Sequence, residues 1–324
     1  MYNRILVPLD GSKRAEAALP VAIELANQTG SSLLLLRVAE VKAPHFNSVV
    51  HEVEVMAEAN HYLNGVRQIL TDEANRPLIE PPKVQTAVVY GPTVKQLTEL
   101  APFDQSDLIV MTTHAHTGLF RLVLGSVATD VVRRAKLPVI LVRPGQAEQA
   151  NPFLNRLDHF HSFQRAVTDG RNLQPRILVN LDESLEAEKA LSPAVELAER
   201  LNASIDLLYV DDLNLSGNYR NEFGFLSGHD QRATTLSRNA KAHNYLETVQ
   251  TRLIPPSLNC NRVVRTGKAA TEISKYASEA GVTLLAITTH ARKRLGNVLL
   301  GSLAEEVLRT IHLPVLMVYS GSAL

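Results

Sequence analysis

The sequence predicts an α/β protein made of two repeated, doubly wound parallel-sheet domains. Three observations carry this. Short apolar runs alternate with stretches of helical periodicity, the pattern of a parallel sheet covered on both faces. The whole alternation occurs twice. The two passes also match at constant spacing. Thr112-Thr113-His114-Ala115, Leu124-Gly125-Ser126 and Leu137-Pro138-Val139 return as Thr288-Thr289-His290-Ala291, Leu300-Gly301-Ser302 and Leu313-Pro314-Val315, all 176 residues later. Ile5-Leu6-Val7-Pro8-Leu9-Asp10 returns as Ile177-Leu178-Val179-Asn180-Leu181-Asp182 at an offset of 172, so the second copy gains four residues in its middle. A unit this long is a domain and not a solenoid repeat.

In the first copy, Arg4 to Leu9 is an apolar run suited to a strand buried on both faces. Asp10-Gly11-Ser12 breaks it, and Ala15, Ala18, Leu19, Ala22, Leu25 and Ala26 follow at the spacing of one helix, which Gly30 ends as a C-cap. Ser32 to Val38 is the second strand, and a helix runs from about Val53 to Leu70. Val84 to Val89 is the third strand, and Gly91-Pro92 turns into a helix through Leu100. Leu108 to Met111, a helix over Gly125 to Ala135 and Val139 to Val142 complete the unit. Right-handed crossovers restrict this order to a doubly wound sheet, with ligands at the carboxyl ends of strands where the winding reverses. Those ends carry Asp10 with Thr112 to Ala115, and Asp182 with Thr288 to Ala291.

The expected division is a first domain over 1–144, a partly helical connector over 145–174 and a second domain over 175–324. In the connector Phe153, Leu157, Phe160, Phe163 and Val167 recur at helical spacing. The loops Ala43 to Val50 and Leu213 to Gly228 follow the second strand of each copy and are candidate lids or plain connections.

Lysine plus arginine equals aspartate plus glutamate at 33 each, so no net field favours nucleic acid or an anionic membrane. No apolar run approaches the roughly 20 residues that span a bilayer. Cys260 is the single cysteine, which excludes an internal disulfide and a cysteine-rich zinc site and fits a reducing cytoplasm. The chain opens on a strand pattern with no signal-peptide pattern ahead of it. His114 and His116 form a His-x-His pair, but the second copy has only His290, and no metal site is expected. No nucleophile elbow, P-loop or zincin motif occurs, so no catalytic residue is assigned.

Leu124-Gly125-Ser126 and Leu300-Gly301-Ser302 stand where a loop enters a helix. Glycine admits close backbone approach, serine adds a hydroxyl, and the helix start offers free N–H groups, a combination that suits phosphate. Ser126 and Ser302 as plain helix N-caps is the competing reading, and Asp10 and Asp182 could equally cap the helix after the first strand. Arg292-Lys293-Arg294 follows the second Thr-Thr-His-Ala, either as extra positive charge for that site or as a solvated loop.

The strands ending in Asp10 and Asp182, the glycines Gly91 and Gly267, and the Gly-Ser-helix-Leu-Pro-Val endings resemble the universal stress protein family, in tandem. The resemblance covers nearly the whole chain except the connector. It implies a five-stranded fold of the adenine-nucleotide alpha-hydrolase kind. It also implies an intramolecular pseudo-dimer paired through the strands Val139–Val142 and Val315–Val318, with room for a further homodimer. The implied ligand is an adenine nucleotide, with Mg2+ where that nucleotide is ATP. Asp10 and Asp182 would face ribose or adenine beside Pro8 and Asn180, and the backbone at Val38 and Val210 would meet adenine. Thr113, His114, Ala115, Gly125, Ser126 and Val127 would line the phosphates, as would Thr289, His290, Ala291, Gly301, Ser302 and Leu303. Nucleotide-binding members carry glycine where this chain has Thr112, Ala115, Thr288 and Ala291, so the phosphate motif is degenerate. The expected role is a cytoplasmic stress-response sensor or regulator acting through a protein partner. The alternatives are a slow ATP hydrolase using His114 or His290, and a scaffold with empty pockets.

Overall fold

The computed structural model describes residues 2–40, 49–71, 82–103, 105–113, 124–144, 174–212, 228–289, 292–294 and 297–321. The first half contains β1 (Arg4–Pro8), α1 (Lys13–Glu16), α2 (Leu19–Thr29), β2 (Ser32–Ala39) and α3 (Val49–Thr71). It continues with β3 (Val84–Tyr90), α4 (Thr93–Phe103), β4 (Leu108–Thr112), α5 (Ser126–Arg134) and β5 (Val139–Val142). The second half repeats the order with β6 (Arg176–Leu181), α6 (Leu185–Glu188), α7 (Leu191–Leu201), β7 (Ser204–Asp211) and α8 (Gly228–Leu253). Then come β8 (Cys260–Thr266), α9 (Ala269–Glu279), β9 (Leu284–Thr289), β10 (Arg292–Arg294), β11 (Asn297–Leu299), α10 (Ser302–Thr310) and β12 (Val315–Tyr319).

The strands form one ten-stranded sheet in the order β3-β2-β1-β4-β5-β12-β9-β6-β7-β8. Each half is parallel and doubly wound, and its winding reverses between its first and fourth strands. The halves meet where β5 and β12 pair antiparallel, Val315 opposite Leu141 and Met317 opposite Val139, as the resemblance implied. Val-Ile-Leu-Val in β5 is wholly buried, so an unpaired edge there would expose both apolar faces and a row of backbone donors. The outer strands β3 and β8 are only half-buried or exposed and can remain edges.

Two core layers follow from the alternation of side chains. One runs under α2, α3, α7 and α8 and includes Ile140 and Leu316. The other runs under α4, α5, α9 and α10 and includes Leu141 and Met317. Both cross the join between the halves. On the first layer α2 packs against α7. Around the join, the buried Tyr2 hydroxyl donates to Pro193 O at 2.8 Å, Arg200 Nη1 to Thr29 O at 3.1 Å and Arg143 Nη1 to Arg309 O at 3.1 Å.

The structure departs from the sequence reading at two places. The helix expected over residues 15–26 is two helices, because Pro20 cannot donate to the Glu16 carbonyl and its ring crowds it. α6 and α7 are broken at the matching place in the second half, where Pro193 stands one residue beyond the equivalent of Pro20. The Gly30 C-cap stands as expected, left-handed at φ 70°, with Asn202 in its place at φ 48° in the second half. The four-residue gain is a net value. Buried Ala59, Leu63 and Val66 of α3 match buried Ala242, Leu246 and Val249 of α8 at an offset of 183, eleven above the offset before and seven above the one after.

One buried cluster has no counterpart in the first half. Asp206, wholly buried in β7, accepts from Arg176 Nη1 at 3.0 and 2.9 Å, Asn261 Nδ2 at 2.8 Å and the Tyr276 hydroxyl at 2.8 Å. Leu34 occupies the equivalent position. Truncating the carboxylate leaves the buried Tyr276 hydroxyl and the half-buried Arg176 without their acceptor, so Asp206→Ala is expected to lower stability by on the order of 1–3 kcal/mol, read from urea midpoints.

Burial pushes the Tyr276 hydroxyl up to about 12 and raises Tyr2, Tyr62 and Tyr245 well above the usual tyrosine value. The neutral hydroxyls are favoured in the fold, so their contribution is complete below the unfolded value of about 10 and is lost as pH rises above it. The denaturation midpoint should be level from pH 8 to about 9.5 and fall by pH 11, with a shallower fall in Tyr2→Phe.

Candidate functional site

The predicted site residues that the structure describes gather at the carboxyl edge of each half, around the point where the winding reverses. In the first half these are Pro8 ending β1, Asp10 after it, Val38 near the end of β2, Thr113 after β4, and Gly125, Ser126 and Val127 opening α5. In the second they are Asn180, Asp182, Val210, Thr289, Gly301, Ser302 and Leu303. His114, Ala115, His116, His290 and Ala291 lie outside the described residues, as do the connector 145–173 and most of both candidate lid loops. Among the described residues no three of His, Cys, Asp and Glu gather as a metal site.

Both capping readings are corrected. The cap after the first strand is Ser12, whose Oγ accepts from the Ala15 N–H at 3.1 Å, and in the second half Ser184, which accepts from Ala187 at 3.1 Å. Asp10 and Asp182 stand two residues earlier and accept from the Ser12 and Ser184 N–H groups at 2.8 and 3.1 Å, closing turns that hold each carboxylate at the strand end. Ser126 and Ser302 are not caps either. Gly125 and Gly301 occupy the cap positions, and neither helix has a side-chain cap bond. Their φ values of −59° and −47° are open to any residue. The missing Cβ is therefore what glycine contributes, beside N–H groups that no side chain caps at the positive end of the helix.

The motif threonines are explained by their elements. Thr112 is buried in β4 opposite Val142, and Thr288 sits in β9 opposite Val318. A β-branched residue suits a strand, so glycine is not needed there. Thr289 is buried; its Oγ1 accepts from the Gly301 N–H at 3.4 Å, and its carbonyl accepts from Ser320 N at 3.0 Å and Ser320 Oγ at 3.2 Å.

The second site contains a buried acceptor with no partner, Asn180 Oδ1. Asn180 lies two residues from Leu178, whose side chain faces the layer under α10, and by strand alternation it shares that face. Pro8 fills the position in the first half.

Residues that sequence reasoning missed make the two sites unequal. Arg37 packs its guanidinium 5.1 Å from the Tyr62 ring and 3.4 Å from Glu58 Oε1, and a Cβ on Gly11 would stand 3.4 Å from it. Tyr209 replaces it in the second half and meets Tyr245 edge-on at 6.4 Å. Burial raises the Tyr209 hydroxyl, and the carboxylates of Glu183, Asp211 and Asp182 raise it further against the lowering effect of Arg238. The mouth of the second site is therefore the more acidic. Arg37 and Tyr209 directly precede Val38 and Val210, and that adjacency was the available signal. At the other end, Arg292 to Arg294 is β10, paired antiparallel with β11. Burial also raises the Glu305 carboxyl in the first turn of α10, opposed by Arg309.

A doubly wound sheet with Gly-Ser helix starts beside its winding reversal defines a class of α/β proteins in which the carboxyl edge of the strands is the usual place for a ligand. The family is settled by comparison. The model of the universal stress protein family matches residues 1–143 and 175–319, and the chain belongs to that family. Universal stress protein MJ0531 of Methanocaldococcus jannaschii is 31% identical over 156 residues, 46% of this chain and 86% of that protein. Universal stress protein MJ0577 of the same organism is 26% identical over 155 residues, 44% of this chain and 96% of its own length. A universal stress protein structure from Archaeoglobus fulgidus superposes with TM-score 0.63 at 18% identity, covering 99% of this chain and 100% of that one. A second, from Pseudomonas aeruginosa, gives TM-score 0.58 at 19% identity over 98% and 93%. These two share the fold along the whole tandem. Among the described residues no helix is long and apolar enough to cross a membrane.

Glu183 holds φ 66° where the first half has Gly11 at φ 88°. A left-handed residue with a Cβ costs roughly 1–2 kcal/mol, partly offset by the entropy glycine loses on folding. Glu183→Gly should therefore raise stability by about 0.5–1 kcal/mol, measured by thermal or urea unfolding.

Proposed function

We propose that each half takes an adenine nucleotide across its carboxyl edge, and that the chain is a stress-response sensor or regulator acting in the cytoplasm through a protein partner. The uncapped starts of α5 and α10, opened by Gly125-Ser126 and Gly301-Ser302, carry this reading. They offer free N–H groups and a positive dipole end where an anion of phosphate size would sit. Asp10 and Asp182, held by their turns, are acceptors for ribose hydroxyls. Asn180 Oδ1, buried without a partner, suits an amino donor such as that of adenine. Where the nucleotide is ATP, Mg2+ would accompany it and offset the phosphate charge.

Arg37 adds positive charge at the first mouth, while Arg292 to Arg294 follow the second Thr-Thr-His-Ala and offset the acidic mouth of the second site. Affinity at both sites should fall as salt rises.

The test is to denature freshly purified protein and identify released nucleotide by chromatography and mass spectrometry. One or two equivalents of ATP, ADP or AMP per chain are expected. Protein without bound nucleotide that also fails to bind ATP in titration would leave the scaffold reading. Asp182→Ala should weaken binding at the second site about tenfold, the loss of one charged hydrogen bond. Unchanged affinity would remove Asp182 from the site. Ala115→Gly with Ala291→Gly should tighten binding by relieving about 1 kcal/mol per site if those positions turn left-handed around phosphate. The same titrations should show no dependence on His114 or His290 beyond binding; slow turnover lost in both His→Ala variants would instead favour a hydrolase.

A further inference from the structure

The two halves differ at one buried position near the helix start. Asn180 is the next-to-last residue of β6 and only 7% exposed, and its Oδ1 is buried with no hydrogen-bond partner. Leu178 belongs to the core layer under α9 and α10, whereas Val179 and Leu181 belong to the layer on the other face. Alternation therefore turns the Asn180 side chain toward α10. Along the sheet it stands opposite Leu208 of β7. Val179 stands opposite Ala286 of β9, which places Ile287 on the other flank of Asn180. Leu208 and Ile287 lie in the same buried layer, and so does Leu300, the residue before the Gly301-Ser302 start of α10.

The acceptor and the helix start therefore face the same side of the sheet, and they call for different groups. The helix start, whose cap residue Gly301 has no side chain, suits an anion. Oδ1 calls for a donor, and its neighbours on that face are apolar. A buried acceptor without a partner lowers the stability of the free protein, and a donor on a ligand removes that cost. One acceptor among leucine and isoleucine side chains fits a flat heterocycle with one donor group better than a sugar with several hydroxyls. Asp182, exposed at the strand end, is the acceptor placed for those hydroxyls. The first half has Pro8 at the matching position, half-buried and with no side-chain donor or acceptor.

We infer that Asn180 is the specificity-determining residue of the second site. It selects a nucleotide whose base carries an amino group, and the first site, with Pro8, lacks that selection. This selection presupposes that the carboxyl edge takes a nucleotide, as proposed. Asn180 Oδ1 accepts one amino hydrogen of the base. A base without that group leaves the acceptor buried and unpaired, the arrangement by which a polar site rejects an analogue most strongly.

The test titrates the full chain by calorimetry with ATP and with purine riboside triphosphate, which is ATP without its 6-amino group. In the native protein one site is expected to prefer ATP by about tenfold or more, and the other by no more than about threefold. Asn180→Val, an apolar residue suited to a strand, should bring the selective site within about threefold. Its affinity for the purine analogue should change by less than about twofold, because the analogue has no amino group to lose. Asn180→Pro, which installs the residue of the first half, should do the same, and thermal unfolding confirms that each variant folds. Equal affinities for the two nucleotides in the native protein would overturn the selection and leave nucleotide binding standing. A preference that survives both substitutions would overturn it as well, by placing the reading of the amino group elsewhere. Failure of both nucleotides to bind would remove the nucleotide reading together with it.

Discussion

The antiparallel pairing of β5 with β12 is the contact on which the rest of the molecule depends. Each half alone would end in a short strand, apolar on both faces, with an open hydrogen-bonding edge. Joining them removes both edges and runs two apolar layers through the whole chain. It also sets direction. Because the pair is antiparallel, the carboxyl edges of the halves point opposite ways. The two candidate nucleotide sites therefore lie at opposite ends of the sheet, while the strand starts of one half stand beside the strand ends of the other.

Within that frame the copies have diverged at positions that share a backbone but not a chemistry. Gly11 and Glu183, Pro8 and Asn180, Arg37 and Tyr209, and Leu34 and Asp206 are four such pairs. The first three cluster at the carboxyl edge, and each changes the chemistry presented there. Glu183 retains a left-handed conformation that glycine would hold at lower cost, and its carboxylate adds to an acidic mouth. A strained residue kept at the carboxyl edge of a sheet is the kind of local conflict found where function outweighs stability. The fourth pair lies deep in the sheet and exchanges an apolar contact for a saturated hydrogen-bond cluster. Buried ion clusters of this sort add little net stability over a hydrophobic pair.

Much of the fold was legible because its signals are local and repeated. Apolar runs marked the buried strands, Gly30 marked a helix end, and the constant offsets marked the two halves. What the sequence obscured has physical causes. Pro20 hid a helix break inside one apolar periodicity, since hydrophobic spacing continues across a turn that the backbone cannot. The offset difference of four concealed a larger gain and a smaller loss on either side of α8, visible only when buried residues are matched in space. At the site, serine and aspartate were read by their capping propensities. Propensity does not say which of two neighbouring residues takes the cap, and Ser12 and Ser184 took it from Asp10 and Asp182. Arg37 escaped notice because a lone arginine in a strand has no motif; its meaning comes from Gly11 and Tyr62, which are remote in sequence.

The same antiparallel join meets the two candidate sites by different routes. From the first, α5 runs from the Gly125-Ser126 start to Arg134, nine residues and about 13 Å of helix, toward the start of β5. From the second, the route is shorter: Gly301 donates to Thr289, whose carbonyl accepts from Ser320, the residue after β12. The first half cannot repeat that link, since Pro144 stands at the position of Ser320 and has no N–H to donate. The second helix start is therefore hydrogen-bonded to the end of its joining strand, whereas the first is tied to its joining strand through the helix it opens.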